Sequence, residues 1–175
     1  MSYLSVRRLA TSERGAVIIE LAIVAPVMAM LAIGVVDMSN AFSRKLALEQ
    51  GAQRAIEKIM QTTDDTTVEA TLASEAVCQV NGTTNGVCNT TPITTNNVTV
   101  TYTLECTASG GAVTTQSNTD ATAFNGYTCA TGSTAARYIS VNVTDKYTPI
   151  FPFHFSSFNS DGTYHISATA GMRMQ

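Results

Sequence analysis

Hydrophobic and polar positions change period twice along this chain. From Ala16 to Val36 almost every position is apolar, 21 residues broken by a single charge, Glu20, and a single proline, Pro26. At about 1.5 Å per residue a helix of that length spans about 30 Å, the thickness of a bilayer core. A cleaved secretory signal has a shorter apolar core, about 7–15 residues, followed by small residues at the cut. Here the run is followed by Asp37-Met38-Ser39-Asn40. The pattern therefore predicts a membrane-spanning helix over 16–36, rather than an export signal or a buried core helix.

The helix is predicted to continue past the membrane. No proline occurs between Asp37 and Met60, and Leu48, Ala52, Ala55 and Ile59 recur at spacings of four, three and four, which is one helical face. Gly34 and Gly51 read as weak points in a single rod over about 16–61, and Pro26 as a place where it loosens or kinks. Ala22, Ala25, Ala29 and Ala32 form a seam of small residues of the kind that lets helices approach in lipid. A second short helix is expected at 67–77, with Val68, Leu72 and Ala76 on one face.

Residues 79–97, with Asn-Gly pairs, threonines and a proline, read as a loop. The period then changes to two. Val98, Val100, Tyr102 and Leu104 alternate in 97–106, Ile139, Val141 and Val143 in 137–147, and Tyr164, Ile166, Ala168 and Ala170 in 163–174. Three half-buried strands in an antiparallel sheet follow. The fold class is α+β: a long N-terminal helix, then a small antiparallel β-sheet domain with long loops. Between the strands lie a Thr/Ser/Gly/Ala-rich excursion, 107–135, and a loop, 148–162, carrying Phe151, Phe153, Phe155 and Phe158. These four rings either pack on the sheet and helix or form a contact surface for a partner.

Charge sets the orientation. Arg7, Arg8 and Arg14 precede the apolar run against one acid, Glu13, and Asp37 follows it. The positive-inside rule places the N-terminus in the cytoplasm and the bulk of the chain outside, a single-pass arrangement. Charged residues make up only 13% and the net charge is −3, with no basic patch, so nucleic acid is not an expected partner. The four cysteines, Cys78, Cys88, Cys106 and Cys129, all fall in the outer part and read as two disulfides. Of the three connectivities, Cys78–Cys88 with Cys106–Cys129 is favoured, because each closes a turn-rich loop. No C-x-x-C or His-rich spacing suggests a metal. His154 and His165 are the only histidines, and no nucleophile-elbow, zinc-protease or nucleotide-binding pattern occurs. His165 reads as structural and Asp161-Gly162 as a turn. An enzyme is not expected, nor a cofactor. Four Asn-x-Thr sequons, at Asn81, Asn89, Asn97 and Asn142, arise readily in so Thr/Asn-rich a chain.

Glu20 is the residue that needs an explanation, because an ionised carboxylate at hydrocarbon depth costs about 2.5 kcal/mol or more. A cut between Gly15 and Ala16 would make it the fifth residue of the mature chain, and the new ammonium group would lie about one helical turn away. An ammonium, its own or that of an adjacent helix, would make the carboxylate tolerable. A partner on a neighbouring subunit would also fix the axial register between helices.

Arg14-Gly15-Ala16-Val17-Ile18-Ile19-Glu20, set after a basic leader and opening an apolar run, resembles a type IV prepilin processing site. The longer stretch through Phe42, continuing into the helix at "ALEQGAQRAIEKI", resembles the TadE-like pseudopilins of the tight-adherence (Tad/Flp) system. The likeness is strong over 14–60, faint over 137–175, where "ISATAGMRMQ" is similar to that family's closing strand, and absent between. It implies a pilin-like fold and cleavage after Gly15 by a membrane prepilin peptidase. Gly15 and Ala16 would be the scissile pair and Glu20 the motif glutamate. The partners would be the bacterial inner membrane and other pilins or pseudopilins, met through the N-terminal helix. The domain division that follows is 1–15 cytoplasmic leader, 16–36 transmembrane helix, 37–61 its continuation, and 62–175 a periplasmic or extracellular α+β domain. Major pilins of this system are very short, so an outer domain with disulfides fits a minor subunit of an adhesive pilus better. The competing reading is a binding or adhesive domain on a permanent, uncut anchor. It accounts for the helix and the disulfides but not for Glu20.

Overall fold

A computed structural model describes residues 13–61, 65–150 and 159–174. The leader as far as residue 12, the four phenylalanines at 151–158 and His154 lie outside the described residues. Helix α1, Glu13–Gln61, is one unbroken element of 49 residues that passes through Pro26. At 1.5 Å per residue it is about 74 Å long.

A second helix, α2, Asp65–Asn81, packs antiparallel to the far end of α1. It is longer than the expected 67–77, because Gln79, Val80 and Asn81 continue the helix into what reads as loop. A two-strand hairpin follows, β1 Thr83–Thr84 and β2 Val87–Cys88. Its turn residues Asn85 and Gly86 both have positive φ, 53° and 79°, the conformation an Asn-Gly type I′ turn needs.

The main sheet has four strands in the order β4-β3-β5-β6, all antiparallel: β3 Val98–Thr107, β4 Val113–Asn118, β5 Thr134–Tyr147 and β6 Tyr164–Met174. The alternations mark three of them correctly. Strand β4, "VTTQSN", carries no such alternation because it is an edge strand exposed along nearly its whole length. It pairs Tyr102–Thr107 of β3 with 113–118. The 107–135 excursion therefore holds a strand and a short helix, α3, Ala121–Asn125, whose start is capped by Asp120 accepting from the backbone of Thr122 and Ala123.

The core forms where the stripe of α1, Leu48, Ala52, Ala55 and Ile56, meets Leu72 and Ala76 of α2 and the inward sheet residues Tyr102, Leu104, Ile139, Val141 and Val143. Ile93 and Phe124, from segments without periodicity, are also fully buried. Phe124 stacks on Tyr102 at 5.5 Å and lies under the Arg137 guanidinium at 5.2 Å. Both expected disulfides are present. Cys78–Cys88 ties α2 to the hairpin, and Cys106–Cys129 ties the end of β3 to the segment after α3. In the chain-entropy account each stabilises by about 3 kcal/mol.

The sequons have structural work of their own. Asn81 Nδ2 donates to the carbonyls of Asn89 and Ile93, both at 2.8 Å, and its Oδ1 accepts from the Ile93 amide. Asn89 Nδ2 returns a bond to the Asn81 carbonyl. This pair holds the segment that delivers Ile93 to the core.

Gly51 is not a weak point in the rod. It is buried where α2 crosses α1, and a Cβ there would overlap Cγ2 of Val80. Alongside, Lys58 pairs with Glu75 at 2.6 Å and Arg54 donates to Gln79. The Lys58 bond lowers the Glu75 carboxyl below its ordinary 4.5. Gly51→Val should destabilise the disulfide-bonded domain by about 1–3 kcal/mol through overpacking against Val80, despite valine's better helix propensity. Chemical denaturation of the full chain in detergent, followed by circular dichroism, measures this. A variant as stable as the parent would show that the helices separate there at no cost.

Candidate functional site: the helical stem and its junction with the domain

The two halves of α1 differ in what surrounds them. From Val17 to Val36 the helix is exposed all round, apart from a partly covered Ile33, and this stretch is long and apolar enough to cross a membrane. Beyond Asp37 one face turns to the sheet. The backbone of Gly15 and Ala16 lies in the first turn of α1, and their side chains are outside the described residues. Glu20 is exposed on the helix, and no ion pair joins it to another described residue. The small-residue seam at Ala22, Ala25, Ala29 and Ala32 is exposed too.

The structure therefore brings the sequence-predicted residues Gly15, Ala16 and Glu20 together along about one and a half turns of one helix, away from the domain. The cysteines are all in the domain, at the far end of the molecule.

Two contacts that sequence reasoning missed fix the stem to the domain. The first is at the end of the apolar run. Asp37 Oδ1 accepts from the Tyr147 hydroxyl at 3.1 Å and from the Ile150 amide at 2.9 Å. Ile150 then lines a small apolar cleft together with Ala32, Ile33 and Val36. Burial, then the Asp37 carboxylate, push the Tyr147 hydroxyl above its ordinary 10. Tyr164, paired with Tyr147 across β5 and β6, stacks on it with ring centroids 6.5 Å apart.

The second contact lies two turns on. Arg44 Nε sits 3.1 Å from Asp145 Oδ2, an ion pair without hydrogen-bond alignment, and Asp145 Oδ1 accepts from the Lys146 amide. Asp145 is the one buried charged side chain among the described residues. A signal for both partners was present. Arg44 precedes Leu48 by four on the core stripe of α1. Asp145 continues the inward series Ile139, Val141, Val143 at period two.

His165 faces outward on β6 rather than toward apolar neighbours, with Nε2 2.9 Å from Asp161 Oδ2. Asp161 also takes Lys146 at 2.8 Å. These bonds, Lys146 first, hold the Asp161 carboxyl well below the usual carboxylate range. Asp161-Gly162 is a turn, as read, with Gly162 at φ 71° and its amide bonded to Asn159. No group of His, Cys, Asp and Glu among the described residues is arranged to hold a metal ion.

Together these features define a class of protein: a small disulfide-bonded α+β domain carried on one long helix whose other half can cross a membrane. Residues 15–56 match the family described as TadE-like protein. The matched stretch starts on Gly15 and ends on Ile56, so it takes in the apolar run, the Asp37 junction and most of the core stripe, and none of the sheet. The resemblance drawn from residues 14–60 is borne out there, and it supports a role associated with the Tad pilus. No curated protein and no solved structure matches the chain.

The Asp37 junction gives a pH prediction. A Tyr147 pKa raised by folding contributes stability that is complete below the ordinary tyrosine value of 10 and is lost as pH rises through the folded value. Asp37→Asn should shift the Tyr147 titration downward while leaving it above 10, since burial is the larger cause. The Tyr147 Cζ resonance, followed against pH, reads the shift. No change would mean that Asp37 does not act on the hydroxyl.

Proposed function

We propose that this protein is a minor pilin or pseudopilin of a Tad-type adhesive pilus, matured by a prepilin peptidase after Gly15. The observation that carries this reading is the TadE-like match that opens on Gly15 itself and runs unbroken along the stem. The N-terminus would lie in the cytoplasm and the domain outside the inner membrane, in line with the arginines before the run and the disulfides beyond it. Processing would leave Ala16 as the first residue, with its ammonium group added to the unpaired amides of the helix start.

Glu20 is then the receiving group for such an ammonium. It stands exposed on α1 with no ion partner among the described residues, which suits a partner supplied by a neighbouring subunit. The helix supplies anchor, retained stem and register device in one element, while the domain differentiates this subunit from its neighbours.

Co-expression with a prepilin peptidase, followed by intact mass and N-terminal sequencing, should give a mature chain starting at Ala16. Gly15→Leu should leave the precursor uncut. A chain recovered whole beside an active peptidase would establish the uncut-anchor reading instead. Glu20→Ala should be cleaved and inserted normally yet be depleted from sheared pili, by about tenfold if the intersubunit ion pair contributes about 1.4 kcal/mol. Undiminished incorporation of that variant would remove the register role.

A further inference from the structure

Where the stem leaves its apolar run, the structure holds an open groove of about 370 Å³ between α1 and β6. Its walls are Met38 and Phe42 on the helix and Tyr164 and Ile166 on the strand, and Lys45 stands at its upper end. Met38 is 70% and Phe42 59% exposed, and they continue the exposed apolar line of Leu31 and Val35 beyond the membrane run. From Met38 to Lys45 the groove extends about 10 Å along the helix.

Resting on the reading of 16–36 as membrane-spanning, we propose that this groove seats one anionic phospholipid of the outer leaflet. The acyl-glycerol part would lie against Met38 and Phe42, with the phosphate at Lys45. The order of chemistry along the groove is that of the lipid: hydrocarbon first, then cation. Its lower end also lies at the right height, because the polar layer on each face of a bilayer is about 5–8 Å deep and Met38 stands about 3 Å past Val36; Lys45, about 13 Å past it, would reach down to that layer with its long side chain. The domain reaches down to that level independently, since Ile150 lines one small open cleft with Ala32, Ile33 and Val36.

Among the described residues around the groove, Lys45 is the cation least engaged. Its bond to Glu49 is long, 3.8 Å, and half its side chain is exposed. Arg44 is engaged with Asp145, and Lys146 and His165 are engaged with Asp161. The lipid thus completes an apolar surface that the chain leaves open at the one height where an amphiphile is at hand.

The test uses the full chain in vesicles of phosphatidylethanolamine and phosphatidylglycerol containing a phosphatidylglycerol photolabelled near its glycerol. Adducts should concentrate on the peptides bearing Met38–Lys45 and Tyr164–Ser167. Lys45→Gln should cut them about fivefold, the factor that about 1 kcal/mol per lysine near an anionic surface corresponds to. Phe42→Asn should do likewise, with carbonate-resistant membrane retention unchanged.

Retention with labelling confined to 16–36 overturns the proposal while sparing the membrane reading. Loss of retention overturns both. Groove labelling that rises when Phe151, Phe153, Phe155 and Phe158 are replaced by serine assigns the groove to that segment of the chain instead. Copy-to-copy disulfides formed by Phe42→Cys, at the expense of labelling, assign it to a second subunit.

Discussion

The whole arrangement depends on α1 remaining one helix while its surroundings change. A segment that crosses hydrocarbon must satisfy its backbone amides and carbonyls within the helix, and 16–36 can do so everywhere but at the Ala22 carbonyl, which Pro26 leaves without an amide donor. The same rod, two turns later, becomes one wall of a soluble core. Only the distal half has a polar side, so only there can a sheet find a face to cover and leave the remainder to water. The sheet's place on the molecule follows from where α1 becomes amphipathic.

A helix with one bare apolar half and one packed half needs its domain set at a fixed height along it. Burial of Leu48, Ala52, Ala55 and Ile56 supplies most of the attraction, but apolar contacts slide. Arg44 with Asp145, and Asp37 with Tyr147 and Ile150, are directional, and each joins α1 to the C-terminal end of β5 or the residues just after it. A partly exposed arginine spares the pair some of the desolvation cost of a fully buried one. Breaking it would still leave the Asp145 carboxylate enclosed, a loss of about 1–3 kcal/mol by the usual cost of an unsatisfied buried group. Polar contacts of this kind select one registration of helix against sheet among several of similar apolar area.

Elements with strong periodicity could be read from the sequence: the apolar run, the core stripe of α1, and strands β3, β5 and β6. Cysteine spacing indicated both disulfides. What could not be read had no period to reveal it. Strand β4 is held by backbone bonds to β3 and exposes its side chains, so no alternation marks it. Ile93 and Phe124 enter the core from segments too short for any pattern and are delivered by the Asn81 bonds and by a five-residue helix capped by Asp120. Gly51 looked like a flaw because propensity speaks only of the isolated helix, whereas its bareness serves the neighbour it lets in. Asp145 and Arg44 sat in plain view on two core stripes, and a charge at a core position reads as an exception until its opposite is found on the facing element. For the candidate site, Gly15, Ala16 and Glu20 are legible as a motif; the junction at Asp37 required the fold.

The bonding around Asn81 has a practical corollary. Both hydrogens of its amide nitrogen are committed, one to each of two carbonyls, and the loop that positions Ile93 closes upon them. A sugar attached at that nitrogen would remove one of those hydrogens and place a bulky polar group where the loop must close. Production in a secretory host that decorates Asn-x-Thr would therefore set oligosaccharide transfer and folding in competition at this position. A bacterial periplasm, which supplies disulfides without that transferase, suits the molecule's chemistry on both counts.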